Sequence, residues 1–256
     1  MMPEGKMEES STPKAIAIGN RIFRWRRLYY FIPVMILFMT RKNLEYPFGN
    51  YFFDEFFEFL SFAVVLLGVG LRFWTSGSTR RFFIKKAWKF HIRFGTTGAF
   101  SLMRNPYFLG DFLIAAGLSF LLFDVPMIVL SLSLFLVLNI PILIARERML
   151  LDAYPSLYQA YCKKVHLIIP SFQFWRKSKS RFRWLLALQK EGNLLGAMGI
   201  LFFCLEQFRE IEINGSWNSN PLWIFIVIPF FVLCLILRAF DPYVSELPDV
   251  PTTWDD

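Results

Sequence analysis

The sequence predicts an all-α, polytopic membrane protein, a transmembrane helical bundle of about six spans with four as the lower count. Three observations predict it. Hydrophobic residues fill 55% of 256 positions, 31 of them Phe, against roughly 45–50% apolar in a soluble domain. The apolar residues lie in long uninterrupted blocks. The charge, 28 Lys and Arg against 20 Asp and Glu, alternates along the chain in step with those blocks. Together these exclude disordered, collagen-like and disulfide-stapled chains.

A helix crossing about 30 Å of hydrocarbon needs roughly 20 apolar residues. Residues 1–27 are polar and basic, with no apolar core and small-residue cleavage site, and read as a cytoplasmic N-terminus without a removable signal. Residues 28–74 hold two spans, Leu28–Thr40, which is short and carries Pro33, and Phe56–Trp74. Residues 75–171 form a core: a cytoplasmic loop, a helical hairpin over 107–145, and a cytoplasmic segment 146–171. The hairpin arms are Tyr107–Phe123 and Pro126–Ala145, turning at Asp124-Val125-Pro126. Residues 172–240 add the spans Trp184–Leu205 and Pro221–Leu237. The first of these is broken by Lys190-Glu191-Gly192-Asn193, leaving Leu194–Leu205 free of charge. It and Leu28–Thr40 read equally as tilted, re-entrant or interfacial segments. A polar acidic tail occupies 241–256.

Lys and Arg distribution sets orientation. Residues 1–27 hold six basic residues, 75–106 seven and 146–183 nine. In contrast, 41–55 has only Arg41 and Lys42, and 206–220 only Arg209 beside Glu206, Glu210 and Glu212. The alternation predicts a multi-pass protein with both termini in the cytoplasm. The net charge of +8 therefore tracks topology and requires no nucleic acid partner. Cys162, Cys204 and Cys234 show no pairing or metal spacing, and His91 and His166 are far apart, so no metal site is expected.

The chemistry concentrates at the mouth of the hairpin. In Arg104-Asn105-Pro106-Tyr107-Phe108-Leu109-Gly110, Asn is a favoured N-cap and Pro a favoured first helical residue. A helix starting there points free N–H groups and a positive dipole end at the cytoplasmic interface, which suits an anion. Arg104 adds a charged planar fork for carboxylate or phosphate. Gly110 leaves room for close approach to the backbone. Arg104 lies 21 residues before Val125 and Glu147 lies 22 after it, so both climb to the same layer. Tyr154, Tyr158, Tyr161 and Val165 recur at steps of four, three and four, one helical face able to lie over that pocket. Each feature has a plainer reading: a positive-inside residue, a helix cap, a surface ion pair worth about 0–1 kcal/mol, and aromatic interface anchors. Asp111 likewise suits the dipole of its helix without a function.

These residues together resemble the isoprenylcysteine carboxyl methyltransferase family and its phospholipid methyltransferase relatives. Gly70-Leu71-Arg72-Phe73-Trp74, Thr96-Thr97-Gly98-Ala99-Phe100, Arg104-Asn105-Pro106 with Gly110, and Glu147 with Tyr154, Tyr158, Tyr161 and Val165 carry the resemblance, in order, over roughly residues 60–171. It implies an S-adenosylmethionine-dependent methyltransferase whose lipophilic or lipid-modified acceptor enters from the bilayer. It implies cofactor contacts from Thr97, Gly98, Arg104, Asn105, Pro106, Tyr107, Phe108, Leu109, Gly110, Glu147, Tyr158 and Tyr161, with Arg104 and Glu147 organising transfer. A prenylated cysteine carboxylate, an amine headgroup and a small isoprenoid all suit as acceptor.

The chain departs from the family pattern at several positions. Asn105 stands for the usual His, Phe108 for the motif tyrosine, Arg146 for the first acidic residue, and His166-Leu167 for Pro-Arg. Those departures leave open a non-catalytic membrane scaffold or partner subunit. A sterol-reductase-like enzyme binding a reduced nicotinamide dinucleotide is the remaining alternative. Residues 175–256 have no counterpart in the resemblance.

Overall fold

The computed structural model describes residues 51–78, 95–121, 125–178 and 181–214, with Ile228 and Val232 besides. The expected span Leu28–Thr40, nearly all of Pro221–Leu237, His91 and the acidic tail lie outside the described residues. Those described are helical or irregular, with no strand among them. The helices are α1 (Tyr51–Ser78), α2 (Ala99–Leu102), α3 (Pro106–Phe120), α4 (Val125–Ala153), α5 (Pro155–Lys164) and α6 (Trp184–Asn214), with a 3-10 turn at Phe172–Phe174.

Two stretches, Phe52–Ser78 and Val125–Ala153, are long and apolar enough to cross a membrane. Both exceed the expected spans. Helix α1 continues past Trp74 to Ser78, and α4 past Ala145 to Ala153, which carries Glu147 on a rigid extension of the hairpin. Helix α3 is shorter than expected, with 15 residues ending at Phe120. It is the buried middle of the bundle, with Ile114 and Leu118 fully enclosed. Helix α6 runs as one helix of 31 residues through the charged quartet Lys190-Glu191-Gly192-Asn193, and its apolar stretch is confined to Leu194–Phe208, close to the expected Leu194–Leu205. Glu191 is buried and paired, so its charge is compensated within the bundle.

Contacts at the two ends give the helices alternating directions. At one end Ser76 of α1 meets Tyr107 of α3 and Glu191 of α6, and Glu147 of α4 meets Arg104 just before α3. At the other, Ser119 of α3 and Ser131 of α4 share a hydrogen bond of 2.7 Å. There too Asp54 and Glu58 of α1 come within 4.8 Å of Glu210 of α6, carboxylate to carboxylate. The C-terminal ends of α1 and α4 therefore lie at one end. The acidic trio is a set of hard oxygen donors that no sequence spacing announces.

Helices α1 and α3 touch backbone to backbone. A Cβ on Gly68 would stand 2.6 Å from the Gly110 carbonyl oxygen, and one on Gly117 would stand 2.7 Å from that of Ser61. Small residues at such a seam let helices gain dispersion and weak polar contacts where apolar burial alone gives little drive. The core is completed by Val65, Val69, Phe135, Met198 and Phe202.

Candidate functional site

The α3 start, the extended end of α4 and helix α5 build one polar cluster. Arg104 Nη1 donates to Glu147 Oε2 at 2.6 Å, so the pair that residue counting places in one layer is in direct contact. Asn105 Nδ2 donates to Glu147 Oε1 at 2.8 Å, and Tyr158 Oη donates to the same oxygen at 2.7 Å. Arg104 Nη1 also donates to Cys162 Sγ at 2.8 Å. Asn105 stands at the N-cap position, but its side chain makes no capping bond and serves Glu147 instead.

The backbone beside the cluster is tied down. The Arg104 and Asn105 N–H groups donate to the carbonyls of His166 and Leu167 at 2.9 and 3.1 Å, and Ser171 N–H donates to Leu102. Those two amide groups are therefore spent on the chain rather than left for an anion. One donor of the cluster is not spent. Arg104 Nε is buried and has no hydrogen-bond partner among the described residues.

Electrostatics keep Arg104, Tyr158, Tyr161 and Cys162 protonated. Burial works against the Arg104 charge, but Glu147, Cys162 and Tyr158 together outweigh it and raise its pKa. Burial, then the hydrogen bond to Glu147 and its charge, push the Tyr158 phenol far above its ordinary value. Tyr161 rises mainly through burial. Burial also raises the Cys162 thiol against the pull of Arg104, so it is a protonated neighbour and not a thiolate nucleophile.

The tyrosine face forms as its spacing predicts. Tyr158, Tyr161 and Val165 are buried against Leu150, with Tyr154 packed at their edge. Tyr161 Oη donates to the Phe100 carbonyl at 2.5 Å, and Tyr158 closes over Glu147. Both rings face inward, which interface anchoring alone does not ask for.

Other expected residues sit elsewhere. Gly98 has φ +64°, a left-handed conformation that a side chain disfavours, and a Cβ there would meet Ser78 Oγ at 3.0 Å. Its N–H donates to the Arg176 carbonyl, so Gly98, with half-buried Thr97 beside it, locks the end of α1 to the segment before α6. Phe108 packs on Phe135, ring centroids 5.8 Å apart, so the missing tyrosine hydroxyl would fall in the core and not at Glu147. Gly110 does not open space for a ligand, because a Cβ there would stand 2.6 Å from Arg72 Cγ. Pro106 is buried and Leu109 half-buried in the first turn of α3. Arg146, the reversed charge, lies over the Phe100 ring at 5.9 Å.

Sequence reasoning missed a second polar cluster. Arg72 reaches Asp111 through Nη1, and Glu191 through Nε and Nη2 at 2.9 Å each. The signal was available in kind: ionisable residues inside apolar spans mark paired or functional positions. Comparison with protein-family models, characterised proteins and solved structures finds no match to this chain.

Proposed function

We propose that the chain is an integral-membrane, S-adenosylmethionine-dependent methyltransferase acting on a lipophilic acceptor, with about six spans and both termini in the cytoplasm. The Arg104–Glu147 cluster carries this reading. It offers a cation and an anion side by side at a helix start, with the buried Arg104 Nε free to donate. That set fits a zwitterionic amino-acid moiety, whose carboxylate Arg104 would take and whose ammonium Glu147 would take. The membrane setting is supported by the outward apolar faces of α1 and α4, where Leu67 and Val137 are each 66% exposed.

S-adenosylmethionine supplies a methyl group on a positively charged sulfur. The chain's own part is to bind and orient. Arg104 and Asn105 hold the start of α3, Glu147 carries the negative charge, and Tyr158 fixes the Glu147 carboxylate while shielding it from water. Orientation of two reactants in a dry site contributes most of the rate gain in such a transfer.

The test is calorimetric titration of purified protein with S-adenosylhomocysteine. Wild type should bind, and Arg104→Ala and Glu147→Ala should each weaken binding at least tenfold. Unchanged affinity in both variants removes the site assignment. A non-catalytic partner role is the second reading, favoured by Glu147 already accepting bonds from Arg104, Asn105 and Tyr158. Absence of binding by wild type, with a co-purifying partner, selects it. Binding of a reduced nicotinamide dinucleotide instead selects the reductase-like alternative. Methyl-labelled cofactor incubated with extracted host lipids identifies the acceptor.

A further inference from the structure

Glu191 belongs to the part of the chain outside the family resemblance, yet its carboxylate reaches α3 by two routes. Along the first, Oε1 accepts from Ser76 Oγ at 2.7 Å, and Ser76 Oγ lies 3.0 Å from Tyr107 Oη. Ser76 has one hydroxyl proton and gives it to Glu191, so Tyr107 is the donor to Ser76. Along the second, Oε2 accepts from Arg72 Nε, and Arg72 Nη1 reaches Asp111. The Arg72 guanidinium also lies over the Tyr107 ring, 5.3 Å from its centroid.

Tyr107 and Asp111 are four residues apart, one helical turn, on a single face at the start of α3. Two points of attachment along one turn fix both the rotation of a helix and its height. Here they lie immediately after Arg104-Asn105-Pro106, at a helix start that lacks a side-chain cap. Ser76 is fully buried and Glu191 nearly so, so water cannot easily replace either bond.

We propose that Glu191 is a positioning residue for the Arg104–Glu147 cluster, holding the first turn of α3 through Ser76–Tyr107 and Arg72–Asp111. Helix α6 is then part of the site's architecture. The inference rests on reading that cluster as a functional site, but the placement it describes can be measured without any ligand.

Cys162 provides the measurement, because its thiol accepts a hydrogen bond from Arg104 and is faced by Glu147 and Tyr158. In the full chain with Cys204→Ser and Cys234→Ser, the rate of Cys162 alkylation by iodoacetamide is followed against pH in detergent. Glu191→Ala should release the α3 start and solvate the thiol. The profile should move down by about one pH unit, a roughly tenfold gain in rate near neutrality. Glu191→Gln keeps an acceptor for Ser76 but loses the charge facing Arg72, and should fall between. Should Glu191→Ala not yield folded protein, Glu191→Gln carries the same comparison. Leu201→Ala makes a cavity in the same helix and should lower the melting temperature without moving the profile. A Glu191 variant whose profile superimposes on the parent overturns the proposal, as does an equal shift from Leu201→Ala. Failure of wild type to bind S-adenosylhomocysteine overturns the methyltransferase reading and leaves this result standing.

Discussion

Arg104 and Arg72 stand near the same end of the bundle, each gripping carboxylates, and they are used differently. The Arg72 side chain is 12% exposed and its Nε, Nη1 and Nη2 all face Asp111 or Glu191. Arg104 is 18% exposed, pairs through Nη1 and keeps a buried Nε unspent. Both clusters rest on charge-assisted bonds, but one has spent its donors on holding three helices together. The other leaves one buried donor without a partner among the described residues. The difference teaches that two arginines with similar pairing chemistry are told apart by the donors each leaves over.

The sharpest way to break the comparison is to remove the deeper arginine. Arg72→Leu strands two buried carboxylates and should cost about 3–5 kcal/mol, read as a large fall in detergent melting temperature or loss of folded protein. If Arg72→Leu costs no more than Arg104→Ala, the structural role assigned to the deeper cluster is wrong. Next comes Gly110→Ala, which alters no charge. Its Cβ would press on Arg72 Cγ and, at 3.0 Å, on the Gly68 carbonyl oxygen. A cost of about 1–3 kcal/mol is expected despite alanine's better helix propensity, and a stabilised variant would contradict the packed seam. The smallest effect belongs to the shallower cluster. Tyr158→Phe should cost about 1–2 kcal/mol by removing the bond to Glu147.

Tyr158 also sets a pH dependence. Its folded pKa is raised, so the bond's contribution is complete below about pH 10, where the unfolded phenol is neutral. It is lost as pH climbs above that toward the folded value. Alkaline unfolding curves of wild type and Tyr158→Phe should therefore converge above pH 10, and parallel curves would count against the bond.

What the sequence revealed followed from local rules. Counting 1.5 Å per residue back and forward from the hairpin turn was enough to bring Arg104 to Glu147, because both helices share one rise per residue. The tyrosine face followed from helical spacing alone. Glu191 was hidden for the opposite reason. A charge inside an apolar run reads as a break until its partner is known, and its partner Arg72 lies 119 residues away. The trio Asp54, Glu58 and Glu210 was hidden likewise, since only the antiparallel packing of α1 and α6 joins them. Gly110 misled because a missing side chain fits a ligand and a neighbouring helix equally well.

The deeper cluster also imposes an order on biosynthesis. Asp111 follows Arg72 by 39 residues, and Glu191 follows it by 119. At about 5–20 residues per second, Arg72 waits on the order of ten seconds between its first partner and its second. Helices α1 and α3 can thus be joined first by the Arg72–Asp111 pair, and arrival of α6 converts that pair into a three-helix junction. Until that moment Ser76 lacks its acceptor, so the Tyr107–Ser76–Glu191 chain at the start of α3 is completed only after most of the protein has been made.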